Sequence, residues 1–481
     1  MSGIQSIASY LPGFEMQRSV ITAQLAWFDP NLKAQAKGVR RVANWDEDAI
    51  TMAVAAARRA VSASSDEINC LTFATTSAPF LDRSNSNLIS EALSLLGTTL
   101  TTDSTGSQRA ATSALLSALR AATPETSLLC AADRRAALPG SANELRYGDA
   151  AAAVVTGAQD GLARFLAGAT IGSDFVDHYR TAERATDYNF EDRWIRDVGV
   201  KQLIPQAVKQ ALTAAGRDIE AIDHLVLPIP AHHAKTVIKS LGLPERALVD
   251  NLFATIGDSG VGHGLLMLDQ CIRSAQAGQT ICLVGFGQGC DALLFEACGN
   301  GDNIPGQSPE QQLPSAQSID DYLKLPAFSR VLQLGTGIRA EADKRTSISA
   351  YYRHHQTINS MLGSVCDACA TPHFPPSRVC VACAAIDQMS DYSFADRSAR
   401  IKSFTEDWQT ATPSPPMCYG NVEFEGGGNA FLELSDVAPD SLQVGSELRM
   451  QFRIKDYDDN RGFRRYFWKP VPLRGDVDTT E

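Results

Sequence analysis

The chain has 481 residues, of which 44% are hydrophobic, 20% charged and 7% aromatic. This composition is typical of a globular protein with enough apolar side chains for sizeable cores, and the length suits about three domains. The formal net charge of −12 argues against a general affinity for nucleic acids or anionic membranes, so an anionic ligand would need a local basic pocket. Neither a leader pattern nor an apolar run of ~18 residues is present, which predicts a soluble, cytoplasmic protein with no membrane partner.

An internal repeat organises the N-terminal part of the chain. Residues 68–73 and 222–227 have the pattern of short buried strands, and so do residues 126–130 and 280–284, with an offset of 154 positions in each pair. A turn rich in glycine and serine opens a helix within each copy, at 103–108 and at 257–260, and an amphipathic helix precedes each first strand. The repeat predicts two α/β halves whose turns meet at a shared site.

The composition changes after about residue 300. Residues 300–317 are rich in Gly, Asn, Pro, Gln and Ser, which favours a surface excursion. From about residue 401, short apolar segments alternate with turn residues, as in a small closed β-barrel of the oligonucleotide/oligosaccharide-binding (OB) type. Nucleic acid is not expected as its ligand, because the chain is acidic and lacks a basic run interleaved with aromatic residues.

Four of the eleven cysteines are clustered. Cys366, Cys369, Cys380 and Cys383 form two Cys-x2-Cys pairs separated by ten residues, and four thiolates are the donor set of a closed tetrahedral zinc site. The other seven cysteines lie mostly in apolar runs, where cysteine acts as a small hydrophobic residue. We therefore predict a zinc ribbon with structural Zn²⁺; the alternative is a metal-free remnant that folds by packing alone.

Several collinear motifs carry a family resemblance. They are residues 46–53 (Asp-Glu-Asp-Ala-Ile-Thr-Met-Ala), 147–151 (Tyr-Gly-Asp-Ala-Ala), 285–292 (Gly-Phe-Gly-Gln-Gly-Cys-Asp-Ala) and 465–469 (Arg-Tyr-Phe-Trp-Lys). On these motifs, residues 1–335 resemble the thiolase superfamily, in particular archaeal-type hydroxymethylglutaryl-CoA synthases and ketoacyl synthase III. Residues 345–475 resemble the DUF35 zinc-ribbon/OB domain that accompanies such enzymes.

The resemblance implies an architecture, a substrate and an oligomer. Residues 1–335 would form a duplicated α/β thiolase-type fold with two mixed sheets between helix layers, followed by a zinc ribbon in 345–390 and an OB-type barrel in 391–475. The substrate would be a coenzyme A thioester. A homodimer would form across the sheet edge near residues 98–103, since pairing satisfies the backbone groups of an edge strand.

The nucleophilic cysteine of the family is absent. The family pattern Asp-x-Glu-Phe-Ala-Cys-Lys-Ala-Gly-Thr aligns without gaps with residues 103–112 and puts Gln108 at the position of the cysteine. An amide cannot form an acyl-enzyme, so covalent ping-pong transfer is not expected. A register shifted by one residue would put Ser107 there, and Cys290 is another substitute. Loading ketosynthases with the same exchange resemble decarboxylases, whereas the other interpretation is an inactive subunit retained for its shape.

Three further positions match catalytic residues of the family. Glu47 matches a glutamate that acts as general acid/base, and a solvated charge in a first helical turn is the alternative. His232 matches the histidine that polarises the thioester carbonyl, with His233 as a one-residue alternative. Asp258 falls where the family has asparagine, and a carboxylate there could accept a proton or orient His232.

These matches lead to three hypotheses. The first is an acyl-CoA enzyme that makes or breaks a carbon–carbon bond by non-covalent enolate chemistry (aldol, retro-aldol or decarboxylation), with Glu47, Gln108, His232 and Asp258 as catalytic residues. Arg180, Lys235 and Ser107 would bind the substrate, the two cations facing its phosphates. The second is a non-catalytic acyl-CoA-binding scaffold that partners a thiolase or synthase. The third, a conventional hydroxymethylglutaryl-CoA synthase-like acyltransferase, would need the missing cysteine.

Overall fold

The structure, a computed structural model, describes residues 2–473 apart from residues 65, 122–124, 160, 300, 336, 338, 340–344 and 439. The helices in this part of the chain are α1 (Arg18–Leu25), α2 (Ala49–Ser62), α3 (Asn85–Ala92), α4 (Ala110–Leu119), α5 (Ala142–Arg146), α6 (Asp192–Trp194), α7 (Ile204–Ala215), α8 (Ala231–Leu241), α9 (His263–Ser274), α10 (Lys324–Phe328), α11 (Ile348–Arg353) and α12 (His355–Asn359). A π-helical segment, Ile195–Leu203, leads into α7. None of these helices has the length and apolar character needed to cross a membrane.

The strands fall into a core set and a C-terminal set. The core strands are β1 (Gly3–Tyr10), β2 (Phe14–Gln17), β3 (Val39–Val42), β4 (Cys70–Ala74), β5 (Leu100–Ser104), β6 (Ser127–Asp133), β7 (Ala150–Gly157), β8 (Ala163–Gly172), β9 (His178–Tyr179), β10 (Tyr188–Asn189), β11 (His224–Val226), β12 (Thr280–Phe286), β13 (Gly289–Ala297) and β14 (Gln317–Ser318). The C-terminal strands are β15 (Leu362–Cys366), β16 (Pro372–His373), β17 (Met389–Ser393), β18 (Ala399–Asp407), β19 (Met417–Phe424), β20 (Asn429–Glu433), β21 (Glu447–Asp458) and β22 (Phe463–Pro472).

The repeat predicted from the sequence is present in the order of the elements. In the first copy α2 precedes β4, and α4 precedes β6; in the second copy α7 precedes β11, and α9 precedes β12. The corresponding strands begin one repeat apart, at Cys70 and His224 and at Ser127 and Thr280. The duplicated α/β architecture therefore follows the periodicity that the sequence indicated.

The two mixed sheets expected from the resemblance are joined by hydrogen bonds into one continuous sheet. Its nine strands have the order β11-β12-β13-β8-β1-β7-β6-β4-β5. Strand β1 pairs with β7 over most of its length, but with β8 only through Gly3 and Ile4. This two-residue ladder is the only described pairing between the sheet of the first half, which contains β1, and the sheet of the second half, which contains β8. Strand β5 lies at one edge of the sheet.

Helices α4 and α9 pack between the two halves. The side chains of β7 show how the layers are stacked, because successive side chains of a strand point to opposite faces of the sheet. Ala152 and Val154 pack into the core that contains α4 and α9, whereas Ala153 and Val155 pack into the core that contains α2 and α3. Helices α7 and α8 cover the outer face of the second half. The core is thus a five-layer α-β-α-β-α arrangement.

The C-terminal region contains two further sheets. Strands β16-β15-β17 form a three-stranded sheet that carries the clustered cysteines, and β20-β19-β18-β21-β22 form a five-stranded antiparallel sheet. In the residues described, no ladder joins β20 to β22, so closure into an OB-type barrel stays a prediction.

The five-stranded sheet is docked on helix α2 of the core. Its apolar face shares one hydrophobic cluster with α2 and α3. The guanidinium of Arg58, on α2, lies 4.7 Å from the centroid of the Trp468 ring and donates to the carbonyls of Met450 and Ala395. The C-terminal region is therefore packed against the core through a continuous apolar contact.

Candidate functional site

Two adjoining cavities meet at the N-terminus of α4. The larger, about 790 Å³, lies between the core and the five-stranded sheet, with Tyr457 and Arg464 of that sheet in its wall. The smaller, about 170 Å³, extends between the halves of the core towards α8. Gln108, Asp177 and His178 line both cavities, so these three side chains stand at their junction.

Gln108 lies just before α4, which begins at Ala110. The first N–H groups of a helix have no partner within the helix, so this end of α4 offers donors and a partial positive charge to an anion. The glycine-rich turn after β12 passes close by, and a side chain at Gly287 would come within 3.0 Å of the Gln108 Cβ. The amide Nε2 of Gln108 lies 3.4 Å from both the hydroxyl of Thr76 and the Nε2 of His178. Both contacts are long for hydrogen bonds, so the amide can still engage a ligand.

A buried carboxylate fixes the loop that carries Thr76. Asp133, at the end of β6, accepts hydrogen bonds from the hydroxyls of Thr75 (3.0 Å), Thr76 (2.9 Å) and Ser77 (2.9 Å). It also accepts one from the backbone N–H of Val261 at 3.0 Å, beside the start of α9. Asp133 therefore joins the loop after β4 to the segment before α9. The two turns that were predicted to meet, at 103–108 and 257–260, both reach the smaller cavity, which Gln108 and Asp258 line.

His178 is a functional candidate that the sequence analysis missed. Its Nδ1 lies 2.7 Å from Oδ2 of Asp177, and its Nε2 faces the amide of Gln108. Burial disfavours the charged imidazole, but the hydrogen bond and charge of Asp177 outweigh burial and raise the pKa of His178 above its usual value. The signal that could have revealed it is the Asp-His dipeptide two residues before Arg180, in a chain with only eight histidines.

Asp258 lines the smaller cavity but is held by a cation. Its Oδ1 lies 2.8 Å from a guanidinium nitrogen of Arg135, and it accepts from the N–H of Gly260 at 2.9 Å. Burial raises the pKa of Asp258, yet the charge of Arg135 outweighs burial, so the net shift is downward. Asp258 is thus an ionised carboxylate paired with Arg135 rather than with His232.

His232 and His233 open helix α8 and line the smaller cavity together with Gln108. Their ring centroids are 4.0 Å apart. His232 is exposed, whereas burial and the neighbouring His232 lower the pKa of His233 to about 4. The structure therefore brings His232 to the predicted site and makes His233 a neutral side chain behind it.

The two predicted substrate cations are in different places. Arg180 lines the larger cavity, pairs with Asp187 at 2.6 Å and donates to the carbonyl of Thr76. Lys235 is exposed on α8 beside a separate depression that Leu248 and Asp250 help to line, so the structure does not bring it to Gln108. The larger cavity is lined by further arginines that the sequence did not single out: Arg134, Arg184, Arg330 and Arg464.

Neither substitute nucleophile is poised to react. The Ser107 hydroxyl lines the larger cavity but donates to the carbonyl of Gly287 at 2.6 Å, and no hydrogen bond to a histidine or carboxylate is found for it in the part of the chain that the structure describes. Cys290 is fully buried, and burial raises the pKa of its thiol well above the usual value. A buried neutral thiol is a poor nucleophile, because the thiolate is the reactive form.

Glu47 lies at the docking surface of the C-terminal sheet and not at the cavities. It is fully buried, accepts from the hydroxyl of Tyr10 at 2.5 Å and the N–H of Asn44 at 2.8 Å, and forms an ion pair with Arg453. The neighbouring Asp48 reaches the wall of the larger cavity, but Glu47 is absent from the described linings. Glu47 is therefore neither an acid/base residue at the cavities nor a solvated charge, because its side chain is buried between the core and the five-stranded sheet.

The four clustered cysteines converge as predicted. Their Sγ atoms all lie within 4.8 Å of one another; Cys366 and Cys383 are 3.7 Å apart, and Cys369 and Cys380 are 3.5 Å apart. A tetrahedral zinc ion with Zn–S bonds of ~2.3 Å would place its sulfurs ~3.8 Å apart, so the donor set fits the ion. A hydrogen bond from Thr371 lowers the pKa of Cys369 to about 6, which favours the thiolate that a metal requires.

Comparison with known proteins supports the resemblance over most of the chain. The hydroxymethylglutaryl-CoA synthase of Aeropyrum pernix is 25% identical over 349 residues, which are 71% of this chain and 93% of that synthase. A DUF35 domain-containing scaffold protein of Methanothermobacter thermautotrophicus is 26% identical over 127 residues, which are 25% of this chain and 92% of that protein. No protein-family model matches the chain.

Solved structures show the fold of the core. MvaS in complex with 3-hydroxy-3-methylglutaryl coenzyme A matches with a TM-score of 0.58 and 18% identity, over 70% of this chain and 93% of that one. The 3-oxoacyl-(acyl carrier protein) synthase III FabH of Pseudomonas aeruginosa PAO1 matches with a TM-score of 0.54 and 19% identity, over 64% of this chain and 99% of that one. About two thirds of the chain therefore has the thiolase-type α/β fold.

Proposed function

We propose that the chain is an enzyme that acts on acyl-CoA thioesters and makes or breaks a carbon–carbon bond at the α-carbon by non-covalent enolate chemistry. The observation that supports this is the position of Gln108. A primary amide stands at the N-terminus of α4, in the wall of both cavities. The sequence match assigns this position to the nucleophilic cysteine of the resembling families.

A non-covalent route fits the groups at this position. Gln108 cannot attack a thioester, the hydroxyl of Ser107 is bound to the Gly287 carbonyl, and Cys290 is buried. The Gln108 amide and the start of α4 instead offer hydrogen-bond donors. An enolate carries its negative charge on the thioester oxygen, and donors held in advance around that oxygen lower the barrier to forming it.

The larger cavity suits the rest of a coenzyme A thioester. Arginine side chains from both the core and the five-stranded sheet surround it, among them Arg180, Arg184 and Arg464, although the chain as a whole is acidic. Guanidinium groups bind phosphates well because their N–H groups match the oxygens in geometry and charge. We infer that the phosphates lie in this cavity and that the acyl group reaches Gln108, with decarboxylation and aldol or retro-aldol cleavage as the candidate reactions.

The test is turnover by the purified chain. Malonyl-, β-hydroxyacyl- and β-ketoacyl-CoAs are offered in parallel, and mass spectrometry follows both the CoA products and the intact protein mass. We expect product to form while the protein mass stays unchanged. A stable acyl adduct on Ser107 or Cys290 would contradict the non-covalent route, and the absence of turnover on every member of the panel would contradict the enzyme.

A scaffold is the second candidate, and the C-terminal region favours it. That region is similar to a DUF35 domain-containing scaffold protein and is joined to the core through buried ion pairs. In this alternative the chain holds acyl-CoA and a partner thiolase or synthase without catalysing a reaction. Co-purification of a complete thiolase with a chain that binds acyl-CoA but turns over none of the panel would support the scaffold.

Two further proposals concern assembly. We propose that Zn²⁺ occupies the four-cysteine cluster and stabilises the ribbon, since the sulfur spacing fits a closed tetrahedral site. We also propose a homodimer formed through β5, because this strand lies at the edge of the nine-stranded sheet with one row of backbone groups unpaired within the sheet.

A further inference from the structure

We propose that His178, oriented by Asp177, is the acid–base residue of the Gln108 site and exchanges a proton with the α-carbon of the bound acyl thioester. This inference rests on the proposed function and adds the group that moves the proton. It gives to His178 the role that sequence matching gave to Glu47.

The geometry leaves one ring nitrogen of His178 for the substrate. Nδ1 is engaged by Asp177 at 2.7 Å, so Nε2 is the nitrogen that points to the cavity junction, 3.4 Å from the Gln108 amide. The side chain is 20% exposed, enough to meet a ligand. Its backbone is held by β9, which pairs with β10 through His178 and Asn189 and through Tyr179 and Tyr188. Such an orienting carboxylate fixes the tautomer and direction of an imidazole.

The charges around His178 allow both of its protonation states. Asp177 and Asp187 favour the imidazolium, whereas burial and the charge of Arg135 oppose it. The second oxygen of Asp177, Oδ1, is buried without a hydrogen-bond partner in the described structure, so much of the charge of this carboxylate is directed at the imidazole. The net effect raises the pKa of His178 above its usual value, so its Nε2 is a better proton acceptor than that of an ordinary histidine.

Other groups near Gln108 are less suited to this task. The described hydrogen bonds of the Gln108 amide run to Thr76 and His178, and the hydroxyl of Thr76 donates to Asp133. Asp258 is a carboxylate of lowered pKa paired with Arg135. A base for a weakly acidic carbon needs a lone pair that the substrate can reach. The lone pair of His178 Nε2 accepts only a long hydrogen bond, 3.4 Å, from the Gln108 amide in the described structure, and a bound substrate can displace it.

The proposed step is balanced without a further reactant. Nε2 of neutral His178 takes a proton from the α-carbon, the C–H electron pair becomes the enolate with its charge on the thioester oxygen, and Nδ1–H stays bonded to Asp177. In the reverse step the imidazolium returns a proton to the α-carbon. When the enolate arises instead by loss of CO₂ from a β-carboxyacyl thioester, His178 starts as the imidazolium, gives its Nε2 proton to the α-carbon to complete the acyl-CoA product, and is protonated again by water.

Exchange of α-hydrogen for deuterium tests this step directly. Propionyl-CoA is incubated with the full-length chain in D₂O, and its deuterium content is followed by mass spectrometry against an enzyme-free blank. We expect His178→Gln to lower the exchange rate by ~10²–10⁴-fold, the range for a lost general base. His224→Gln, which changes a histidine bonded to Gln279 away from the cavities, is the matched control and should exchange like the wild type.

The pH profile separates an acid–base role from a structural one. Exchange requires neutral His178, so its rate should fall as pH drops through the pKa of that group. Asp177→Asn removes the charge that stabilises the imidazolium, so the acid limb of the profile should move to lower pH while the maximal rate decreases. Added imidazole should partly restore exchange to His178→Ala, which a folding defect would not allow.

The outcomes distinguish this inference from the proposed function. A wild-type chain that neither exchanges propionyl-CoA nor turns over the acyl-CoA panel overturns both. A wild-type chain that exchanges, together with His178→Gln that matches the His224→Gln control, overturns the role of His178 and leaves the proposed function intact.

Discussion

Glu47 and Arg453 form a fully buried ion pair that joins the α/β core to the five-stranded sheet. Arg453 also binds Asp436 at 2.7 Å, and its neighbour in this network, Tyr10, donates to Glu47 at 2.5 Å. A carboxylate in such a place is protected from solvent and substrate alike. Its partners indicate that it stabilises the attachment of the C-terminal region.

Removing the cation should therefore cost stability rather than catalytic rate. Arg453→Met leaves two buried carboxylates without their cation, and breaking a buried pair in this way typically costs ~3–5 kcal/mol. We expect a clear fall in the urea midpoint, with partial recovery in the double variant Glu47→Gln/Arg453→Met. The control is Arg400→Met, which breaks an exposed pair with Glu447 on the same sheet and should cost at most ~1 kcal/mol. Equal midpoints for the two single variants would contradict this role for Glu47.

The zinc prediction is tested by elemental analysis. One zinc ion per chain should be found, and Cys366→Ser should release it. Because metal binding in zinc ribbons is coupled to folding by ~10–16 kcal/mol, the ribbon should lose its order and become sensitive to protease. Cys70→Ser, which changes a cysteine outside the cluster, should keep the metal. A metal-free chain with a protease-resistant C-terminal region would show that packing alone folds it.

The reliable sequence predictions came from local patterns. The repeat of strands and helices, the paired Cys-x2-Cys motifs and the position of Gln108 before a helix each depend on neighbouring residues, and the structure shows all three. The joining of the two sheets was not foreseen, because it depends on a two-residue contact between β1 and β8 that has no periodic pattern in the sequence.

The sequence prediction for Glu47 was wrong because its surroundings are formed by residues that are distant in the sequence. Asp46 pairs with Lys469, Glu47 with Arg453 and Asp48 with Arg464, so three successive carboxylates bind three cations more than 400 positions away. In the sequence, these three acidic residues have the pattern of a helix N-terminus, and Asp48 does cap α2. His178 was missed because it lies in a segment of short strands and turns, where no hydrophobic period marks which side chains face the site.

The proposed homodimer can be tested at one backbone position. In β5 the N–H of Leu100 and the carbonyl of Ser104 pair with the β4 side, so alternation directs the N–H of Thr101 to the free edge. We expect a dimer by light scattering for the wild type and for Thr101→Val, which keeps that N–H. Thr101→Pro removes it and should give a monomer or a much weaker dimer. A wild-type monomer at micromolar concentration would contradict the proposal.

Loss of the amide at the site should lower turnover. Gln108→Ala removes a side-chain donor beside the expected position of the thioester oxygen, and loss of one such donor typically costs ~10²–10³-fold in rate. His232→Ala should also lower turnover if it polarises the carbonyl, whereas Gln202→Ala on an exposed helical surface is the control. Initial rates on the best substrate of the panel provide the measurement. Full activity in both Gln108→Ala and His232→Ala would contradict the catalytic role of this site.

The reverse substitution asks whether the α4 N-terminus retains the chemistry of a nucleophile site. Gln108→Cys puts a thiol at the start of α4, where the helix N-terminus should lower its pKa. We expect incubation with acetyl-CoA to add one acetyl group to the intact protein mass in this variant, and none in Gln108→Ser or the wild type within the same time. An unmodified Gln108→Cys chain that still binds acyl-CoA would mean that the acyl group does not reach this position. Trapping of the acyl group by the cysteine would support the view that the wild-type amide faces the same thioester carbon and leaves it free for enolate chemistry.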